Sequence, residues 1–212
     1  MRYWLPVVLV LAVVLGGCVQ VPGDGETPAE LLARADQLID EERPGDAVAL
    51  IEAALSQEDS ADGHFMLGNA YSHSDRLEEA EDEYLRALAL EPAHVDARAN
   101  LAVVYYSTGR LEEAEEAIRR ALEGHEQDAD LHYNLGGVLA AQGRSVEAEI
   151  EFLTALDLNP DLPEVHLGLG FLYRDLGRTD EAIASLERFL ELSGDHEWRA
   201  EAEAILAALE AE

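Results

Sequence analysis

The sequence predicts an all-α solenoid, and three observations carry the prediction. The chain aligns on itself with a period of 34, over residues 61–94, 95–128, 129–162 and 163–196, and such a period has to be settled before any other fold argument. Each unit is punctuated where a helix must stop. Gly109, Gly143 and Gly177 stand at the fifteenth position and Pro92 and Pro160 at the thirty-second, the first as left-handed C-terminal caps, the second because a residue before Pro is pushed out of the helical region. Small and bulky residues also recur in register, as they must where two helix backbones approach closely.

In chain order, residues 1–17 come first. Met1-Arg2 precedes the apolar run Val7 to Leu15 and the small pair Gly16-Gly17. This is the layout of a secretory signal, too short for the roughly 20 residues that span a bilayer comfortably. Leu15-Gly16-Gly17-Cys18 resembles the bacterial lipobox. The resemblance implies cleavage before Cys18 and diacylation of its thiol, with an ordinary cleaved signal or a retained anchor as the competing readings. Two acyl chains hold a protein on a membrane where one binds only marginally. Residues 18–27 are then the lipidated Cys and a flexible tether, since VPGDGET holds two Gly and a Pro with little apolar content. The location implied is the bacterial cell envelope, facing the periplasm; Val19, rather than Asp, after the Cys favours the outer membrane.

Residues 28–60 read as an atypical first unit. PAELLARADQLID and DAVALIEAALSQ both have helical apolar spacing, broken by Pro44-Gly45. In the four regular units the eighth position is Gly68, Ala102, Gly136 and Gly170, and the twentieth is Ala80, Ala114, Ala148 and Ala182. The eleventh is Tyr71, Tyr105, Leu139 and Tyr173, and the twenty-fourth is Tyr84, Ile118, Phe152 and Leu186. Residues 197–212 hold one more amphipathic helix, Trp198 to Leu209, to cover the stacking face that a last unit exposes.

These spacings resemble those of the tetratricopeptide repeat (TPR) family. The resemblance implies a right-handed superhelix of antiparallel helix pairs, whose first helices line a concave, protein-binding groove. Mapped by position, it makes Phe65, Asn69, Asn100, Tyr106, Tyr133, Asn134, Phe171 and Arg174 candidate partner-binding residues. Asn100 and Asn134 share the sixth position one unit apart and resemble an asparagine ladder, because an amide both donates and accepts as a peptide bond does. Asn before Leu-Gly is also simply common in such units. The aromatics are either groove anchors or inter-unit packing. The second position is acidic throughout, as Asp62, Asp96, Asp130 and Glu164, which is either a stripe along the groove or solvated carboxylates favoured at helix N-termini.

Charge limits the partners. In 212 residues, 45 are acidic and 14 basic, for a net charge of −31, and every basic residue is Arg. Nucleic acid, which needs a basic patch, is excluded, and neutral or basic protein segments are favoured. A salt-rich habitat or GC-rich genome would explain the same composition. The single Cys rules out an internal disulfide and a multi-thiolate zinc site. His64, His132 and His166 occupy the fourth position of their units and read as packing residues, too far apart to share a metal. The expectation is a non-catalytic protein with no cofactor, metal or small-molecule substrate: a membrane-anchored adaptor that binds a partner protein or peptide. Lipoproteins of this design include pilotin-like factors of type IV pilus biogenesis and a scaffold for peptidoglycan hydrolases; a self-assembling structural role is the rival.

Overall fold

The computed structural model describes residues 25–210, apart from 42 and 195. Cys18 and the signal-like segment lie outside the described residues. Among the described residues there are eleven helices and no strand. Helices α1 (Pro28–Asp40) and α2 (Pro44–Gln57) form the first unit, α3 (Ala61–Ser72) and α4 (Leu77–Leu90) the second, and α5 (Val95–Ser107) and α6 (Leu111–Leu122) the third. The fourth is α7 (Ala129–Ala141) with α8 (Ser145–Leu158), and the fifth is α9 (Pro163–Asp175) with α10 (Thr179–Leu192). Helix α11 (His196–Leu209) packs on α10 and buries Ala202 completely.

Within a unit the eighth and twenty-fourth residues interlock. A Cβ built on Gly68 would lie 2.6 Å from the Tyr84 ring, one on Gly136 2.6 Å from Phe152, and one on Gly170 2.7 Å from Leu186. The bulky side chain therefore occupies the space that a methyl group would need. In the third unit the eighth residue is Ala102, and its counterpart is the slimmer Ile118; both are buried. Ala80, Ala114, Ala148 and Ala182 are fully buried on the opposing helix.

The turn between the two helices repeats as well. Gly109, Gly143 and Gly177 have φ of 75°, 75° and 69°, and Asp75 takes their place in the second unit at φ 57°. One residue later an Arg N–H donates back to the eleventh residue's carbonyl: Arg76 to Tyr71 at 2.9 Å, Arg110 to Tyr105 at 2.8 Å, Arg144 to Leu139 and Arg178 to Tyr173 at 2.9 Å. That bond closes a Schellman motif, which places the side chains at its two ends against each other. Outside the fourth unit, where it is Arg144 and Leu139, the pair is Arg and Tyr. The guanidinium carbons of Arg76, Arg110 and Arg178 lie 4.2 Å from the ring centroids of Tyr71, Tyr105 and Tyr173.

The same Arg then staples one unit to the one before. Arg110 bonds both Glu81 oxygens at 2.8 Å, Arg144 bonds Glu115 at 2.7 and 2.8 Å, and Arg178 bonds Glu149 at 2.9 Å. Each also holds a carboxylate one turn into its own helix: Glu113, Glu147 and Glu181. These carboxylates offset a cation at a helix N-terminus, where it is disfavoured. Burial opposes ionisation of Glu115, but hydrogen bonds from Arg144, Gln142 and Arg119 outweigh it and hold the carboxyl down at about 2.

Two measurements check this packing. Gly136→Ala should lower stability by about 1–3 kcal/mol through overpacking against Phe152, whereas Gly137→Ala, whose Cβ would meet nothing within 4 Å, should raise it by ~0.5–1 kcal/mol; urea melts of the two neighbours decide. Because the Glu115 carboxyl is depressed from 4.5 to about 2, its contribution is complete above pH ~4.5 and is lost as pH falls through about 2. The difference in Tm between wild type and Glu115→Gln should therefore shrink steadily across that window.

Candidate functional site: the concave face

The first helix of each unit contributes to one face, and the predicted residues fall there in two groups. The first group, from units two and three, is already bonded to itself. The Asn69 carbonyl oxygen accepts from both the Tyr84 hydroxyl and the Asn100 amide, each at 2.8 Å. Burial pushes the Tyr84 phenol up to about 12, against the hydrogen bonds that favour its ionised form. Phe65 packs its ring 4.8 Å from His94 and 6.2 Å from Tyr84. Asn69, Asn100 and Phe65 thus take part in contacts between neighbouring helices.

The second group, from units three to five, surrounds open space. A hollow of 600 Å³ is walled by Tyr106, Tyr133, Phe171 and Trp198 and floored by small residues, among them Gly137, Ala140 and Gly168. The floor is low because Gly137, the ninth residue of the fourth unit, and Gly168, the sixth of the fifth, have no side chain, and Ala140 only a methyl group. A smaller apolar pocket of 220 Å³ lies between α5 and α7, lined by Val103, Tyr106, Tyr133, Asn134 and Gly137. A third, also 220 Å³, lies between α7 and α9, where Tyr133 and Asn134 meet Asp130 and Glu164.

Tyr133 and Asn134 are common to both small pockets. The Tyr133 ring is braced by Phe152 at 6.0 Å, and burial, reinforced by the charge of Glu164, pushes its phenol upward. Asn134 differs from Asn100. Its counterpart one unit back, at the position Asn69 holds for Asn100, is Val103, so its amide has no carbonyl to bond. It is half-buried and makes no side-chain hydrogen bond within the described residues. The Asp130 carboxyl is pushed up by burial and then by Asp128 and Glu164.

Arg174 stands apart from the hollow's lining. It lies 5.3 Å over Phe171 and donates two hydrogen bonds to Asp175, at 2.8 and 2.9 Å. Trp198, assigned by sequence to a capping helix alone, also lines the hollow, half-exposed. Its signal lay in the placement of α11, which no spacing within the units discloses.

The histidines at the fourth position bond across their own units. His64 Nδ1 lies 2.5 Å from Glu83 and Nε2 lies 2.8 Å from Asp59; His132 Nδ1 lies 2.7 Å from Glu151. His166 has Ser185 where the others have Glu, and burial lowers its pKa. Facing away from the groove, α8 exposes Val146, Ile150 and Leu153 along one stripe.

A helix-pair repeat with this interlock and this groove matches known sequences. The tetratricopeptide repeat family model matches residues 32–93, 66–129 and 100–163, and a second model of that family matches residues 163–196. The chain belongs to the tetratricopeptide repeat family. No curated protein matches it. Among solved structures, the TPR protein TTC0263 of Thermus thermophilus is 25% identical with a TM-score of 0.74, covering 85% of this chain and 100% of that one. PilF of Pseudomonas aeruginosa is 20% identical at a TM-score of 0.73, with 86% and 88% covered. YrrB, described as a TPR protein with an unusual peptide-binding site, is 22% identical at 0.62, with 82% and 91% covered. The protein is an all-α TPR superhelix, a fold suited to holding protein partners.

The two asparagine environments make opposite predictions. Asn69→Ala leaves the Tyr84 hydroxyl and the Asn100 amide without their acceptor and should cost about 1–3 kcal/mol. Asn134→Ala removes no bond and should leave the denaturation midpoint close to that of wild type in the same urea titration.

Proposed function

We propose that this protein is a non-catalytic adaptor, tethered to a bacterial membrane through Cys18, that holds an extended segment of a partner protein in its concave face. The observation that carries the binding reading is the open, largely apolar hollow of units three to five, edged by Glu164 and Asp175, with the unpartnered amide of Asn134 beside it. A surface of this kind is costly to leave facing water and matches the makeup of protein-binding sites, apolar at the centre with few, placed polar groups. The peptide-binding site named for YrrB supports the reading. PilF, at 20% identity, supports the fold.

The tether reading rests on sequence alone. An apolar run, small residues and Leu15-Gly16-Gly17-Cys18 in succession support cleavage and diacylation at Cys18, which would hold the acidic body at a membrane whose anionic headgroups repel it. Periplasmic exposure follows from export, and the outer membrane from Val19. A partner with neutral or basic segments is favoured by a net charge of −31.

Metabolic labelling with a clickable palmitate analogue tests the anchor in a bacterial host that processes lipoproteins. Wild type should incorporate label and sediment with membranes, and Cys18→Ala should do neither. Label retained by Cys18→Ala would overturn the anchor without touching the groove.

A further inference from the structure

We propose that only the half of the concave face formed by units three to five binds, and that its occupant is an extended peptide presenting an Arg or Lys side chain beside a large apolar one. This deepens the adaptor reading and rests on it. The two small pockets are neighbours with opposite chemistry. One, between α5 and α7, is apolar, walled by Val103, Tyr106 and Val138. The other, between α7 and α9, has the carboxylates of Asp130 and Glu164 at its walls. Tyr133 and Asn134 form the partition between them.

Charge complementarity selects the occupant. Neither Asp130 nor Glu164 has a cationic partner among the described residues, although most of the chain's arginines are engaged with carboxylates. Arg174, which lies over the hollow's Phe171, is turned onto Asp175. Burial and the neighbouring carboxylates destabilise negative charge at Asp130, and an incoming guanidinium or ammonium group would relieve that. An apolar side chain in the adjacent pocket would lie against Tyr106, while the free amide of Asn134 meets the peptide backbone running between the two side chains. An acidic segment would meet unpaired like charge at the same place and be rejected.

The other half of the face is occupied from within. The Asn69 oxygen is bonded to Tyr84 and Asn100, and Phe65 packs against His94 with the rings tilted. A peptide there would have to displace bonds already made. The acidic residue of that half, Asp62, lies 3.6 Å from His94.

The probe is a positional-scanning array of capped peptides of about nine residues, roughly 30 Å when extended, incubated with the detergent-solubilised full chain. The best binders are then titrated by fluorescence anisotropy. Retained peptides should share Arg or Lys close to Leu, Phe, Tyr or Trp. Gly137→Leu fills the hollow from a backbone position where a Cβ meets nothing within 4 Å. It should weaken binding at least about tenfold, with circular dichroism melting no lower than wild type. Asp130→Asn/Glu164→Gln should weaken the basic peptide about tenfold and leave its Arg→Ala counterpart unchanged, while Asp62→Asn should do nothing. A preference for acidic peptides, full binding by Gly137→Leu, or equal losses from Asp62→Asn would overturn this assignment and leave an adaptor that binds elsewhere on the face. Retention of no peptide by wild type would remove both.

Discussion

The close approach of the two helices within each unit governs the rest of the molecule. Tyr84, Phe152 and Leu186 fit only because Gly68, Gly136 and Gly170 have no side chain, and Ile118 fits beside the single methyl of Ala102. Where the helices come this close, the connection between them has little freedom. In units two to five a left-handed residue ends the first helix and the Arg that follows bonds back to the eleventh residue's carbonyl, and in units three to five its guanidinium also reaches the preceding pair.

That placement gives the charges a structural role. With 45 acidic residues against 14 Arg, a TPR stack of this composition carries strong self-repulsion, and an Arg that meets several carboxylates relieves it locally. Arg110, Arg144 and Arg178 each hold one Glu from their own unit and one from the unit before. At the first boundary Arg76 holds only Glu79 of its own unit, because the first unit has Val48 at the position of Glu81. The position of Glu81, Glu115 and Glu149 is Ile183 in the fifth unit, which has no following repeat to meet. The recurrence of Arg at the sixteenth position was visible in the sequence. Its partner was not, because the pairing spans 29 residues and depends on how one unit is rotated on the next.

The concave face shows the same division between what spacing discloses and what packing decides. Position alone marked Phe65, Asn69, Asn100, Tyr106, Tyr133, Asn134, Phe171 and Arg174 as equivalent candidates. In the folded chain they have different lives: Asn100 is bonded to Asn69, Asn134 lines a pocket with Val103, Phe65 packs between His94 and Tyr84, and Arg174 pairs with Asp175. Two asparagines at the same register position differ because hydrogen bonding depends on the neighbour across the unit boundary. One substitution there, Asn to Val, turns a structural amide into an available one. The hollow arises likewise from Gly137, Ala140 and Gly168 lying together, which depends on how the fourth unit stacks on the fifth.

The sequence by itself determined the all-α TPR solenoid, the placement of helix stops and the small-to-large pattern within each unit, because these follow from local backbone preferences and a 34-residue period. It also carries the expectation of a lipidated Cys18, a motif read from consecutive residues. The tertiary structure alone decided which arginine meets which carboxylate, which asparagine stays unpaired, and that α11 brings Trp198 to the edge of the hollow. Those are relations between units, and they depend on stacking geometry rather than on the preferences of any one segment.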